Sequence, residues 1–411
     1  MGTQSKVREI DSENQISKTK WLFSLCWIQY TVIYWGSVIL NRLPFFVYIT
    51  PLIFPALLVF TLFVWLGGTN YSISIGNFVV LIAGALFWIV SQLIHPEYNV
   101  YFNENLERCF LAFLMVYVGK SVFRDGVNEE YFSLLVKLSK LGVIFTALYF
   151  VYGAFAGRMS EDEYMTISYR MLPSTLCLAV AFLKNKKIGN TVWFVATALL
   201  QLFMGTRGAV LAIVILIVLY FLLFEKKRNL FIAIICAAVI IFFDSAFGLI
   251  ELFLLLIASI ASSFNMSTRI IDAIISSNIA DDNGREEIYD FTIEQIKNNI
   301  WSGEGIFADR YILQHFPGES PYVHNVLIEL WSNFGLIPSI LIVGILLFIT
   351  FKFLLNKNYS VYARFVLLIS FTAAATQLMF TGSYLTDAPF WLFIGILWGI
   401  HHYREDLIDA I

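Results

Sequence analysis

The sequence predicts an all-α, polytopic membrane protein with about 12 transmembrane helices and one large, partly helical external loop. Of its 411 residues 59% are apolar and 14% charged, and the mean hydropathy is +0.74, a balance outside the range of soluble domains. The apolar residues gather in runs of about 20, the length that crosses a ~30 Å hydrocarbon layer. The same composition excludes a disordered, collagen-like or coiled-coil chain. A formal net charge of -3 leaves no basic excess for a phosphate backbone, so no nucleic-acid partner is expected. Cys26, Cys109, Cys177 and Cys236 have neither CxxC nor metal-ligand spacing and read as small core residues.

Residues 1–20 are polar and form a cytoplasmic tail. Spans are expected at 21–41, 45–66, 73–94, 106–122, 133–155, 169–184, 189–204, 208–224, 229–247, 335–355, 361–380 and 384–400. The first lacks a small-residue cleavage site and reads as an uncleaved signal anchor. The apolar run 248–264 follows its predecessor with almost no polar linker, which suits an in-plane or re-entrant helix better than a further crossing. The chain thus divides into nine helices over 21–247, a large external loop over 248–334 with in-plane helices, three helices over 335–402 and a tail over 403–411.

Lysine and arginine set the orientation. With the N-terminus inside, 18 of the 27 fall in cytoplasmic segments, which makes both termini cytoplasmic. Eight of the nine external cations are arginines, whereas lysine dominates inside. A guanidinium offers a planar fork of donors matched to phosphate or carboxylate, so the external set suggests an anionic ligand; for any single arginine, salt bridging to Asp or Glu is the bland explanation. Apart from Asp244 and residues near span ends, such as Lys120, Lys137 and Arg364, no charge is expected at mid-membrane depth, which weighs against an ion-coupled transporter.

Three external segments carry the candidate chemistry. Asp282-Asn283-Gly284-Arg285-Glu286 opens a stretch in which Tyr289, Ile293, Ile296 and Ile300 recur at helical spacing, with Asn283 and Glu286 related as in a capping box. Arg285 then lies in the first turn, where a cation opposes the helix dipole and needs a partner, either Asp281 or Asp282 or a bound anion. In the second, Ser320 is the expected N-cap and Pro321 the first helical residue, placing His324 in the first turn or so, where the dipole would hold its imidazole neutral. A hydrogen-bonded structural histidine is the alternative to a base. In the third, Met204-Gly205-Thr206-Arg207-Gly208 frames an arginine between two glycines on a tight turn, set either on a ligand or on lipid headgroups. The loop holding Arg158 and Arg170 also holds Glu161, Asp162 and Glu163, so internal ion pairs compete there with ligand contact.

In this order the segments resemble the O-antigen polymerase and O-antigen ligase family of bacterial membrane glycosyltransferases. The likeness is carried by Gly205-Thr206-Arg207-Gly208, by Gly284-Arg285 leading through Tyr289 to Trp301-Ser302-Gly303-Glu304-Gly305, and by Tyr322-Val323-His324-Asn325 with Glu329 and Phe334-Gly335. It implies transfer at the outer face of the bacterial inner membrane from glycans carried on undecaprenyl pyrophosphate, with Arg207 and Arg285 on the pyrophosphate and His324 on the acceptor hydroxyl. Gly205, Gly208, Asn325, Tyr322, Glu329, Arg158, Arg170 and Arg310 are the further substrate-binding candidates, and Trp301, Tyr311 and Trp331 are candidates for stacking on sugars or for interfacial anchoring. No external carboxylate cluster has metal spacing, and a metal-independent, inverting transfer without a cofactor is expected. Expected partners are lipid-linked glycans, membrane lipids, a chain-length regulator and a flippase. The His324-Asn325, Glu329 and Phe334-Gly335 pattern favours a polymerase of O-antigen or capsule repeat units over a ligase acting on lipid A-core. A lipid-linked oligosaccharide flippase would need its basic residues in a central cavity with short loops instead.

Overall fold

The computed structural model describes residues 75–123, 126–156, 161–204, 206–225, 285–318 and 320–402, with the isolated positions 255 and 259. The expected tails at 1–20 and 403–411, the spans at 21–41, 45–66 and 229–247, and the in-plane run at 248–264 lie outside the described residues, as do Arg158, Gly205 and Asn283; of the run, only positions 255 and 259 are described. Among the described residues the regular structure is helical, with no strand. Before the loop come α1 (Ile75–Ile94), a 3-10 turn (Pro96–Tyr98), α2 (Asn99–Ser121), α3 (Glu129–Ala156), α4 (Glu161–Lys184), α5 (Ile188–Phe203) and α6 (Arg207–Phe224). The loop contributes α7 (Arg285–Ile296), a 3-10 turn (Lys297–Asn299), α8 (Ala308–Leu313) and α9 (Val326–Phe334). It is followed by α10 (Leu336–Leu355), α11 (Val361–Phe380) and α12 (Ala388–His402).

Five stretches are long and apolar enough to cross a membrane, Glu129–Val151, Tyr164–Lys184, Arg207–Phe224, Leu336–Leu355 and Val361–Phe380, and Ile82–Ile94 and Ile188–Phe203 are shorter apolar helices. Helices α2 and α12 fall outside those limits: α2 carries Glu104, Glu107 and Arg108 in its first half, and α12 has 15 residues. The apolar runs mark the helices but not their ends. Helix α4 starts at Glu161, well before the expected 169, because a polar first turn can extend past the apolar stretch. The last expected span, 384–400, is the clearest departure: Thr381 to Asp387 form a turn and the helix begins at Ala388. Asp387 caps it, accepting a hydrogen bond from the Phe390 backbone N–H at 3.0 Å.

Leu176 and Val180 of α4, Ala212 and Leu216 of α6, Leu367 and Ala373 of α11 and Ile396 of α12 share one buried core. Lipid tails are as apolar as leucine, so close packing and interhelical hydrogen bonds select this arrangement more than apolar burial does. Helices α2 and α12 approach so closely that a Cβ on Gly119 or Gly395 would overlap the facing backbone. Gln201 of α5 donates to the Ser168 carbonyl of α4 at 3.1 Å and to the Thr175 hydroxyl at 3.3 Å. Helix α10 instead leaves Ile340, Leu341, Ile345 and Phe348 exposed, a face suited to lipid.

The two ends of the bundle differ in chemistry. At one end the loop packs on α1 and α2, with Trp88, Phe102 and Phe307 edge to face and the Tyr98 hydroxyl donating to the Glu304 carbonyl at 3.2 Å. At the other, Lys184 meets the Glu129 carboxylate at 2.9 Å, Lys120 lies 3.9 Å over the Trp398 ring, and Arg364 donates to the Leu354 carbonyl at 2.7 Å.

Candidate functional site

The loop owes its shape to a backbone clamp. Gly303 and Gly335 have φ of 65° and 86°, in the left-handed region that favours glycine, and a Cβ on either would run into the other's strand of backbone. The facing segments are joined by Glu304 N–H to Ser332 carbonyl (2.8 Å), Gly305 N–H to Asn333 carbonyl (3.0 Å) and Leu336 N–H to Ile300 carbonyl (2.8 Å). The Trp331 indole N–H also donates to the Ile300 carbonyl, at 3.2 Å. The Trp301 to Gly305 motif thus holds the joint between α9 and α10, and Trp301 itself is exposed. Tyr311 packs on Tyr98 with ring centroids 4.9 Å apart.

Ahead of α9 the structure corrects the expected helix start. Ser320 and Pro321 lie in irregular chain, and the helix begins at Val326 with Asn325 as N-cap, its side chain accepting from Leu327 N–H (2.9 Å) and Ile328 N–H (3.5 Å). His324 therefore precedes the cap instead of occupying the first turn, with φ of 55°. A left-handed histidine costs on the order of 1–3 kcal/mol and persists only where its surroundings enforce it. Three contacts do so: the Asn325 cap, the Val323 N–H on the Asp309 carboxylate at 3.4 Å, and the Tyr322 hydroxyl donating to the Thr381 carbonyl. The Tyr322 and His324 rings lie 4.1 Å apart. Burial, and then the positive charge of Arg285, push the His324 imidazole down to about 4. The ring is neutral at pH 7, as the sequence suggests, but the cause is burial beside an arginine, not a helix dipole.

Arg285, the first residue of α7, acts electrostatically on His324, Tyr322 and Tyr169, so these four side chains form one cluster. Asp281 and Asp282, its expected partners, lie outside the described residues. Arg207 is the first residue of α6, with Thr206 as an extended N-cap. A Cβ on Gly208 would overlap the Tyr169 hydroxyl, so glycine is what lets α6 and α4 close here, next to Arg207. Tyr169 thereby links the Arg207 turn to the Arg285 and His324 cluster.

Behind the His324 turn sits a buried ionic group that ties α8, α9 and the 381–387 turn together. Asp309 and Glu329 have no solvent exposure and Arg310 has 9%. Glu329 accepts from the Ser383 hydroxyl and, at 3.2 Å, from the Tyr384 N–H; Arg310 reaches the Ser383 oxygen at 3.5 Å and lies 4.7 Å over the Phe307 ring. Burial, then the nearby Asp309 charge, push the Glu329 carboxyl up to about 8, and burial raises Asp309 as well. The two carboxyls therefore share a proton beside the Arg310 guanidinium. Glu329 and Arg310, expected on substrate, stand in this position beneath the site, and Asn325 is engaged as a helix cap.

Asp309, Tyr169, Thr381, Ser383 and Asp387 join the site without having been singled out in the sequence. The one local signal was Asp387-Ala388-Pro389, an N-cap followed by a proline in the first turn, which marks a helix start inside what hydropathy alone reads as a span. Arg170 lines a cavity of about 570 Å³ together with Tyr169, Tyr322, Thr381 and Asp387. Among the described residues no three His, Cys, Asp or Glu side chains are grouped so as to hold a metal ion.

Fold and site together define a polytopic helical membrane protein with a histidine and arginines gathered at the loop end of its bundle. The O-antigen ligase family model matches residues 192–343, a stretch that contains Arg207, Arg285, His324 and Gly335. Over that stretch the chain is similar to the O-antigen ligase family, in line with the resemblance its motifs carry. Comparison with curated proteins and with solved structures gives no match.

Proposed function

We propose that this protein is a polymerase that transfers a growing glycan from undecaprenyl pyrophosphate to a lipid-linked repeat unit at the outer face of the bacterial inner membrane. The observation that carries the reading is the neutral, left-handed His324 beside Arg285 at the loop end of the bundle. In the transfer the acceptor hydroxyl oxygen bonds to the anomeric carbon, the carbon–oxygen bond to pyrophosphate breaks, and the electron pair leaves on the pyrophosphate. The hydroxyl proton passes to His324. Arg285 and Arg207 neutralise the developing charge, a role two fixed guanidinium groups can fill without a divalent metal. A single displacement inverts the anomeric centre.

Pyrophosphate bound at Arg285 would offset the charge that helps hold the His324 pKa down, so the imidazole becomes a better base once the donor is in place. The basic residues gathered at the end opposite the loop, Lys120, Lys184 and Arg364, support a cytoplasmic assignment for that end and an external one for the site. A chain-length regulator and a flippase are the proposed partners.

The family model's description as O-antigen ligase favours the second reading, transfer to lipid A-core. Gels of surface and lipid-linked glycan from the source bacterium, with the gene deleted and then complemented, separate the two. Single capped repeat units without a ladder mean a polymerase. A full ladder held on undecaprenyl pyrophosphate but missing from its final acceptor means a ligase, and an unchanged pattern refutes both.

A further inference from the structure

The cavity described above abuts the transfer cluster but is not part of it. Its lining includes Tyr169 and Tyr322 but none of Arg207, Arg285 and His324, so the two tyrosines stand between the cavity and those residues. Its volume, about 570 Å³, lies inside the roughly 300–1,000 Å³ range of small-molecule sites. It opens between α2, α4, α11 and α12, where Pro173 inside α4 cannot donate to the Tyr169 carbonyl and loosens that turn. The chemistry of its wall differs from that of the arginine cluster. Arg108, Arg170 and the Asp387 carboxyl face the same space, with Arg170 acting electrostatically on Asp387, and Gln377 and Thr386 add an amide and a hydroxyl. Arginine and amide donors thus stand beside carboxyl and hydroxyl acceptors, a mixed wall unlike the purely cationic pair Arg207 and Arg285. A sugar is matched on every side: hydroxyls that both donate and accept, and a ring face for the tyrosines.

We propose that this cavity seats the terminal sugar of the acceptor and presents its hydroxyl to His324 across Tyr322. The proposal rests on the transfer function above and adds the division of labour: donor pyrophosphate on the Arg207 and Arg285 side, acceptor sugar on the Arg170 and Asp387 side. Transfer needs two glycans to converge on one histidine, and Tyr322, which borders the cavity, has its ring 4.1 Å from that of His324.

The test uses purified full-length protein in lipid nanodiscs, lipid-linked repeat unit as donor, and as acceptor probe a single repeat unit released by mild acid from the host's own surface polysaccharide. Thr386→Val, Gln377→Ala and Asp387→Asn are compared with wild type, the last because asparagine can still cap α12 at the Phe390 N–H. Each is expected to raise the KM for the probe about tenfold while leaving the KM for donor and the kcat at saturating probe within about twofold. An unchanged KM for the probe in all three, or a rise in donor KM instead, overturns the proposal while the transfer function stands. A wild-type protein that transfers nothing, or a His324→Ala variant that transfers normally, overturns the transfer function and the proposal with it.

Discussion

Glu329 separates a role beneath the site from a role on the substrate. Its carboxyl has no solvent exposure and accepts from the Ser383 hydroxyl and the Tyr384 N–H. Held up to about 8 chiefly by burial, it is protonated at pH 7, so Glu329→Gln nearly reproduces its native state. The glutamine oxygen can take the Tyr384 N–H, and its amide can donate to the Ser383 oxygen once that hydroxyl rotates. The expected loss is below about 1 kcal/mol. Glu329→Ala leaves two buried donors without acceptors, at about 1–3 kcal/mol each, and opens a cavity, for a total of roughly 3–5 kcal/mol. The assay is thermal unfolding in detergent with glycan transfer measured in parallel. The pH dependence follows from the same shift. A carboxyl raised in the folded state contributes stability fully present below its unfolded value, near ~4.3, and lost as pH rises through about 8. Wild type should therefore lose melting temperature relative to Glu329→Gln between those limits. If Glu329→Gln melts as low as Glu329→Ala, or folds normally but cannot transfer, the buried-support explanation is refuted.

Other consequences follow from the same geometry. Gly335→Ala places a Cβ against the Trp301 carbonyl at a φ of 86°, so more than about 3 kcal/mol should be lost from strain and overlap, read as little monomer by size exclusion; a normal yield contradicts the clamp. The His324 pKa is depressed, so its neutral form persists as pH falls to about 4. The acid limb of kcat/KM should lie near there, that of kcat should lie higher because the donor offsets Arg285, and Arg285→Gln should move the free-enzyme limb upward; two limbs near ~6.5 would mean an unperturbed imidazole. Arg207→Lys should cut transfer more than tenfold, because a point charge does not replace the fork, whereas full activity would mean simple headgroup anchoring.

Hydropathy anticipated the five described stretches long and apolar enough to cross a membrane, because runs such as Leu336–Leu355 have no polar alternative. It could not locate α12's start, since Tyr384 and Leu385 are as apolar in composition as a span and only Asp387-Ala388-Pro389 marks the turn. Arg285 and His324 were legible because each sits in a recognisable local motif. Their meeting was not, and neither was the support beneath them: Ser383 is 54 residues from Glu329, and Asp309 reaches Val323 across 14. The low pKa of His324 could be anticipated in direction, but its cause lies in burial and in Arg285, which local spacing does not report.

The most direct measurement is polymer formation by the purified protein from lipid-linked repeat units alone, comparing wild type with His324→Ala and Arg285→Ala variants shown to be folded. The geometry predicts that wild type extends the glycan with stoichiometric release of undecaprenyl pyrophosphate and that both variants fail at the transfer step. Normal extension by either variant would contradict the placement of His324 and Arg285 at the centre of the reaction.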